Sequence, residues 1–352
     1  MMTRTQTYKE IDTFRLVAAL LVIAIHTYPF LSFSPAFEVM FSRVFARVAV
    51  PFFLMVSGYL LIGPFANKPF YPNLSRIKNF LKRTTYVYCI AILLYLPLSV
   101  YTNKISFDTS IISTLKMIFF SGTFYHLWYF PATILAIAWI TFLLKNISFT
   151  SVFVISIVLY VIGLGGDNYY NFIRVYPVME GFYNIIFQIF GNTRNGLFFA
   201  PLFIMLGALA YKNMQVEQRS MKRSEIILFV CSLLMLMLEG AYIHYLTKPA
   251  YDDMYIFLVP TSYLLFRWLM TIRLPAIRYA RPLSLLLFLL HPIGILIVRA
   301  IAKILHFEVF LIHHSMLHYI AVVLITLALS YMCLWVSSSR FWKHAKQILT
   351  PQ

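Results

Sequence analysis

The stretch IDTFRLVAALLVIAIHTYP, residues 11–29, decides the fold. Its apolar run is long enough to cross a bilayer, which takes about 20 residues. It nevertheless carries Asp12, Arg15 and His26. Working outward, the whole chain has the same character. Of its 352 residues, 61% are apolar and 12% charged, with mean hydropathy +0.78. Soluble domains carry about a quarter charged residues. A water-soluble globule of this composition would have too little polar surface to meet water. A soluble enzyme, a collagen-like rod and a disordered tail are thereby excluded, and the expectation is an all-α polytopic membrane protein.

Apolar windows predict about ten transmembrane helices, near 14–34, 46–63, 80–101, 126–145, 150–165, 195–211, 225–246, 253–272, 282–301 and 317–338. Residues 105–121 are too short and polar to span, so they read as interfacial or re-entrant. Residues 168–193 are aromatic-rich and read as an amphipathic lid. No Gly/Ser-rich or Pro-rich hinge and no repeat divides the sequence. Residues 1–352 are therefore expected to form a single membrane domain without a separate soluble one. The net charge of +17 is read as topology, not nucleic-acid binding. With both termini cytoplasmic, Lys and Arg favour the inner side by roughly two to one. The localisation that follows is a multi-pass protein of the plasma membrane, with the lipid bilayer as its first partner. The first helix is not a cleavable signal peptide, since Glu10 and Asp12 stand where a basic segment belongs. Cys89, Cys231 and Cys333 all lie in apolar runs and read as core or lipid-facing residues.

Ionisable groups inside a span are costly and mark function. Arg15 and His26 are eleven positions apart, which is roughly 1100° of helix, so both face one way about 16 Å apart along the axis. Asp12, three residues before Arg15, is spaced to hold the guanidinium in place. A guanidinium at the helix mouth grips a phosphate or carboxylate. A deeper neutral imidazole takes a proton from a hydroxyl. The pair suits transfer from an anionic donor, and equally a transporter of an anionic solute with a proton.

These residues carry a family resemblance. Arg, ten residues and then His in a first helix is similar to the opening signature of the acyltransferase 3 family. RVAVPFFLMVSGYLL (47–61) is similar to that family's second helix. YHLWYFPA (125–132), TRNGLFFAPLFIMLGA (193–208) and HPIGILI (291–297) resemble the branch that includes the membrane half of the vancomycin-resistance serine racemases. The resemblance implies acyl transfer from cytoplasmic acyl-CoA, acetyl-CoA by expectation, to a sugar or other envelope hydroxyl. His26 would be catalytic and Arg15 the donor anchor. Acyl-CoA would be a co-substrate, with no permanently bound cofactor. Two features of the wider family, a C-terminal pyridoxal-phosphate domain in the racemases and an esterase-like domain in larger acyltransferases, are not read in this sequence. The racemase branch also keeps import of a small amino acid such as serine open as the alternative.

Further residues follow from position. Arg76 and Arg83 belong to a basic loop suited to donor phosphates. Arg47 and Tyr59 flank the second helix. His126 and Trp128 open the fourth on the outer side, where His126 is expected to face the His26 cavity. Arg194 and Asn195 precede the sixth helix, with Asn192 or Thr193 as its cap. Glu239 needs a partner on another helix, and His291-Pro292 is expected beside a cavity. His306, His313, His314 and His318 have no carboxylate or thiolate beside them except Glu308, and His313 and His314 cannot both face one site on a helix, so no metal is expected.

Overall fold

The computed structural model describes residues 9–66, 71–106, 109–216, 221–247, 249 and 251–338. Arg4, Lys68, Arg219, Lys248, Arg340, Lys343 and Lys346, all used in reading the topology, lie outside the described residues. Among those described, every regular element is helical.

In chain order the main helices are α1 (Lys9–Thr27), α2 (Pro35–Ile62), α3 (Tyr71–Tyr101), α4 (Ile111–Ser121), α5 (Tyr129–Leu143), α6 (Phe149–Gly165) and α7 (Pro177–Phe190). They continue as α8 (Ala200–Val216), α9 (Arg223–Leu246), α10 (Leu258–Leu269), α11 (Ala280–Ile304) and α12 (Ser315–Ser338). A helix occupies each of the ten predicted windows. Among the described residues, however, only five segments are long and apolar enough to cross a membrane, in α2, α3, α9, α11 and α12. The others fall short for physical reasons. α1 carries Glu10, Asp12 and Arg15. α5, α6 and α8 have 15, 17 and 17 residues, and a straight helix needs about 20 for the hydrocarbon core.

Several boundaries are corrected. α2 begins at Pro35, not near 46. Ser34 caps it by accepting from the Phe37 N–H at 3.3 Å, and Pro35 takes the first helical turn, where its missing N–H costs nothing. The segment then passes through π turns at Val39–Val44 and Gly58–Ile62. α3 begins at Tyr71, so the basic run from Arg76 to Arg83 is helix, not loop. The eighth predicted window starts five residues late, at Leu258, because residues 252–254 are held by hydrogen bonds to a distant turn. Residues 111–121 are helical, with Ile111, Ile112, Leu115 and Phe119 exposed, which fits an interfacial segment. The expected lid is α7 plus the one-turn helix Tyr170–Ile173. α7 buries Tyr183 and Ile186 and leaves Val178, Phe182, Ile185 and Ile189 exposed.

The chain divides into two compact units, residues 1–49 with 272–352 and residues 50–271. In the first, α1 packs on α11, and α11 on α12. Asp12 bonds Arg281 near the start of α11, and His26 stacks on His291 further along it. The two contacts progress in the same direction, so α1 and α11 run parallel. If both cross the bilayer, an odd number of crossings separates them, as in the ten-helix reading. α11 and α12 approach so closely that a Cβ at Gly294 would lie 2.2 Å from Thr326 Oγ1.

In the second unit α2 and α8 touch backbone to backbone. A Cβ on Gly58 would lie 1.8 Å from the Ile204 carbonyl oxygen, and one on Gly207 2.0 Å from that of Met55. This is the close helix contact that Ser57-Gly58 predicts. Tyr59 is buried there against Tyr211 and Phe266, at 5.3 and 5.6 Å between ring centroids. A salt bridge of 2.8 Å joins Glu225 on α9 to Arg267 on α10.

Candidate functional site

In the first unit, the uninterrupted helix α1 keeps Arg15 and His26 on one face. Arg15 Nη1 donates to Asp12 Oδ1 at 3.2 Å, the predicted intrahelical pair. The same carboxylate receives Arg281 Nε on both oxygens at 2.7 Å. Two guanidiniums therefore meet this one carboxylate. Thr13 Oγ1 donates to the Pro275 carbonyl at 2.6 Å, tying the chain before α11 to the same end.

At the far end of the face, the rings of His26 and His291 stack at 5.2 Å with 13° between planes. His291 is buried, and its Nδ1 lies 2.8 Å from the Phe288 carbonyl. A carbonyl only accepts, so Nδ1 carries the proton and the Nε2 lone pair remains on the ring. Just beyond His26 the helix ends at Tyr28, in left-handed backbone at φ 53°. Ser315 Oγ donates to the Pro29 carbonyl at 2.8 Å and pairs with Ser32 Oγ, fixing this turn to the start of α12. Buried Glu38 accepts from the Phe30 N–H at 2.6 Å. Arg47 is half-buried in the 3₁₀ turn Phe45–Val48.

In the second unit, a polar cluster gathers where α6 ends. Arg194 Nη1 donates to Asp253 Oδ2 at 2.7 Å, and its guanidinium lies 4.6 Å from the Trp128 ring centre, a cation–π contact. Asp167 Oδ1 accepts the N–H groups of Asp253 and Met254 at 2.8 and 3.0 Å. Asn168 Nδ2 donates to the Met254 carbonyl at 2.8 Å. Burial pushes the Asp167 carboxyl up to about 7, and Asp253 adds to the shift. The two N–H donors and Arg194 pull it back. Burial also lowers the Lys104 ammonium, with Arg194 contributing. Glu239 finds its partners in turns, not on another helix, accepting from Tyr169 Oη at 2.5 Å and from the N–H groups of Ile256 and Phe257 at 2.6 and 2.9 Å.

The family model for the acyltransferase domain of this type matches residues 8–335. The chain belongs to the acyltransferase 3 family. Relatives within it include a serine/alanine racemase of Enterococcus gallinarum, 37% identical over 96% of this chain and 47% of the relative. An amino-acid racemase of Enterococcus faecalis is 38% identical over 98% and 47%. A second from that organism is 36% identical over 92% and 45%. The chain thus spans about half the length of these relatives. No solved structure matches it.

The other expected site residues of this acyltransferase 3 chain are distributed as follows. Arg76 and Arg83 are exposed on α3. His126 is buried in an aromatic cage, edge-on to Tyr95 at 4.9 Å and beside Phe124 and Tyr125. It belongs to a different unit from His26. His126 and Trp128 precede α5 instead of opening it, in a turn that needs Gly122. That glycine has φ +77°, and a Cβ there would lie 2.4 Å from the Trp128 nitrogen. Neither Asn192 nor Thr193 caps the approach to α8. Asn195 does, its Oδ1 accepting from Leu197 and Phe198 N–H at 2.8 and 3.1 Å. Thr193 instead donates to the Gly163 carbonyl. The anion that Arg194 meets is Asp253 of the chain itself.

Residue-level reading missed Arg281, Asp167 and Asp253. Arg281 was one more basic residue in a run with Arg273 and Arg278. The two aspartates lie in turns, where acidic residues are ordinary.

Proposed function

We propose that this chain is an integral-membrane O-acyltransferase that moves an acyl group, acetyl by the simplest reading, from acyl-CoA to a hydroxyl of an envelope acceptor. One observation carries the reading. An anchored guanidinium and a ring-stacked imidazole occupy one face of a single helix, about 16 Å apart along it. The guanidiniums of Arg15 and Arg281, gathered at Asp12, suit the phosphates of the donor. A pantetheine arm is long enough to carry a thioester from there toward His26. His26 accepts the proton of the acceptor hydroxyl, and the oxygen attacks the thioester carbonyl. An ester bond forms, the carbon–sulfur bond breaks, and the proton leaves with the CoA thiol. His291, with its donor spent on Phe288, sets the plane of the His26 ring. Arg76 and Arg83 are assigned to outlying donor phosphates. Arg47, Tyr59, His126, Trp128, Arg194 and Asn195 are assigned to acceptor-side or cavity roles. A cytoplasmic N-terminus, and with it a cytoplasmic donor, rests on the Lys/Arg bias. Reporter fusions after Lys222 and near Asp252 should read cytoplasmic and external respectively.

The names of the relatives, serine/alanine and amino-acid racemases, favour a second reading, a transporter of a small amino acid such as serine. Arg15 would then hold a carboxylate and His26 relay a proton. The deciding experiment uses the purified chain in nanodiscs and in sealed vesicles. Acyl-CoA binding and turnover, both sensitive to His26→Ala or Arg15→Lys, would support transfer. No acyl-CoA binding, with serine accumulation abolished by His26→Ala, would replace it with transport.

A further inference from the structure

The chain entering α11 is held against α1 on both sides of one aromatic residue. The Pro275 carbonyl accepts from Thr13 Oγ1 at 2.6 Å. Arg281 Nε reaches both oxygens of Asp12 at 2.7 Å. Tyr279 lies between these two ties, immediately before the helix. Its backbone is left-handed, with φ 63° and ψ 15°. Glycine and asparagine take that conformation readily, whereas a bulky aromatic there is an outlier. Such outliers cluster at ligand clamps and active sites.

Neither burial nor capping accounts for the tyrosine. It is 50% exposed, and its side chain does not cap α11. The Arg278 guanidinium lies 4.7 Å from the ring centre, a cation–π contact on one face of the ring. A tyrosine at a membrane boundary is ordinarily a belt residue, but a belt residue needs neither left-handed backbone nor a guanidinium on its ring. An exposed ring backed by a guanidinium is a stacking platform for another flat aromatic. Nucleic-acid bases are held this way, on aromatic side chains and guanidinium planes. Acyl-CoA carries one such base. Its adenine lies one ribose away from the diphosphate, and Tyr279 lies two residues away from Arg281, whose guanidinium joins that of Arg15 at Asp12.

We infer that Tyr279, backed by Arg278, is the seat of the donor's adenine. The inference rests on the acyl-transfer reading and adds to it a nucleotide-specific contact, at the end of the donor remote from His26.

Calorimetry on the full chain in nanodiscs tests this with three probes. Acetyl-CoA is the whole donor. The acetyl thioester of phosphopantetheine keeps the arm and lacks the adenosine, and adenosine bisphosphate keeps the adenosine and lacks the arm. Tyr279→Asn suits the left-handed backbone and removes the ring. It should weaken acetyl-CoA and adenosine bisphosphate by roughly tenfold each, the order of one base stacked on one aromatic ring. The phosphopantetheine thioester should bind it as it binds the wild type, which also shows the variant folded. Tyr279→Trp, which keeps a ring, should hold both nucleotides as the wild type does. In turnover, Tyr279→Asn should raise KM for acetyl-CoA and leave kcat unchanged. Unchanged acetyl-CoA affinity in Tyr279→Asn would overturn the proposal, make Tyr279 a belt residue and leave acyl transfer standing. Equal weakening of all three probes, or a loss in Tyr279→Trp as large as in Tyr279→Asn, would overturn it too, because the residue would then act through the fold. A folded wild type that binds no acetyl-CoA would instead remove the acyl-transfer reading, and this seat with it.

Discussion

The seam along α1 and the turn after α6 handle their charged groups in different ways. On the seam, Asp12 meets two guanidiniums, Arg15 and Arg281. In the turn, Arg194 pairs with Asp253, and Asp167 accepts the Asp253 N–H. A charged group away from bulk water is costly unless it is paired or hydrogen-bonded, and the turn meets that cost partly with backbone donors where the seam uses side chains. The two regions also differ in construction. The Asp12, Arg15 and His26 side of the seam is local, built on one helix at a spacing of three and eleven residues, with Arg281 and His291 joining it from α11. The turn is assembled from segments tens of residues apart.

The sharpest way to break the comparison is at His26. His26→Gln keeps hydrogen bonding but cannot titrate, so acyl transfer should fall about 10²-fold or more. Asp167→Asn should leave donor binding intact. Full turnover in the glutamine variant would reduce the seam to packing. Next is Arg15→Lys, which retains the charge and loses the planar fork. Acyl-CoA affinity should drop roughly tenfold, as expected for one charge-assisted contact, and calorimetry on the folded variant reads it directly. Arg281→Gln should do less. Its side chain is 47% exposed, and exposed pairs are worth about 0.2–1 kcal/mol, a change of up to about fivefold in donor affinity. A raised KM without loss in kcat would mark it as a positioning residue for Arg15.

In the turn the test reads stability, not turnover. The Asp167 carboxyl is raised to about 7 when folded, against about 3.9 in an unfolded chain. The folded protein then holds the proton more tightly, so this stabilisation is present below about pH 4 and is lost as pH rises toward 7. The thermal midpoint of the wild type should fall by roughly 5 °C across that window. Asp167→Asn should flatten the slope. An unchanged slope would show that the carboxyl titrates as it does in the unfolded chain.

The same contrast explains what was legible from sequence. Helical period makes the side chains of one helix predictable, so the Asp12–Arg15 pair and the shared face of Arg15 and His26 follow from spacing alone. Close packing at Gly58 is equally legible, since only a missing side chain lets two helix backbones touch. His291 stood out as a histidine beside a proline inside an apolar run, though nothing in the sequence aimed it at His26. Arg281 and Asp12 are 269 residues apart, and no local pattern joins them. Asp167 and Asp253 are joined by backbone N–H groups, which every residue has. The N-terminal limits of α2 and α3 were missed because charge was taken for loop, whereas Glu38 is buried inside a helical segment and the Arg76–Arg83 run lies on an exposed helix face.

The discontinuity of the first unit governs how the protein is made. Asp12 and His26 emerge from the ribosome at the outset, while Arg281 and His291 follow about 250 residues later. At roughly 5–20 residues per second, that delay is on the order of 13–50 s. Throughout it α1 holds a carboxylate, a guanidinium and an imidazole without its partner helix α11. The newborn helix must therefore linger at the insertion machinery, or lie at the water boundary, until the end of translation delivers α11 and α12. Shortening the message before the codon for Arg281 should accordingly leave a cysteine placed at His26 open to a water-soluble thiol reagent, whereas the full-length product shields it behind α11.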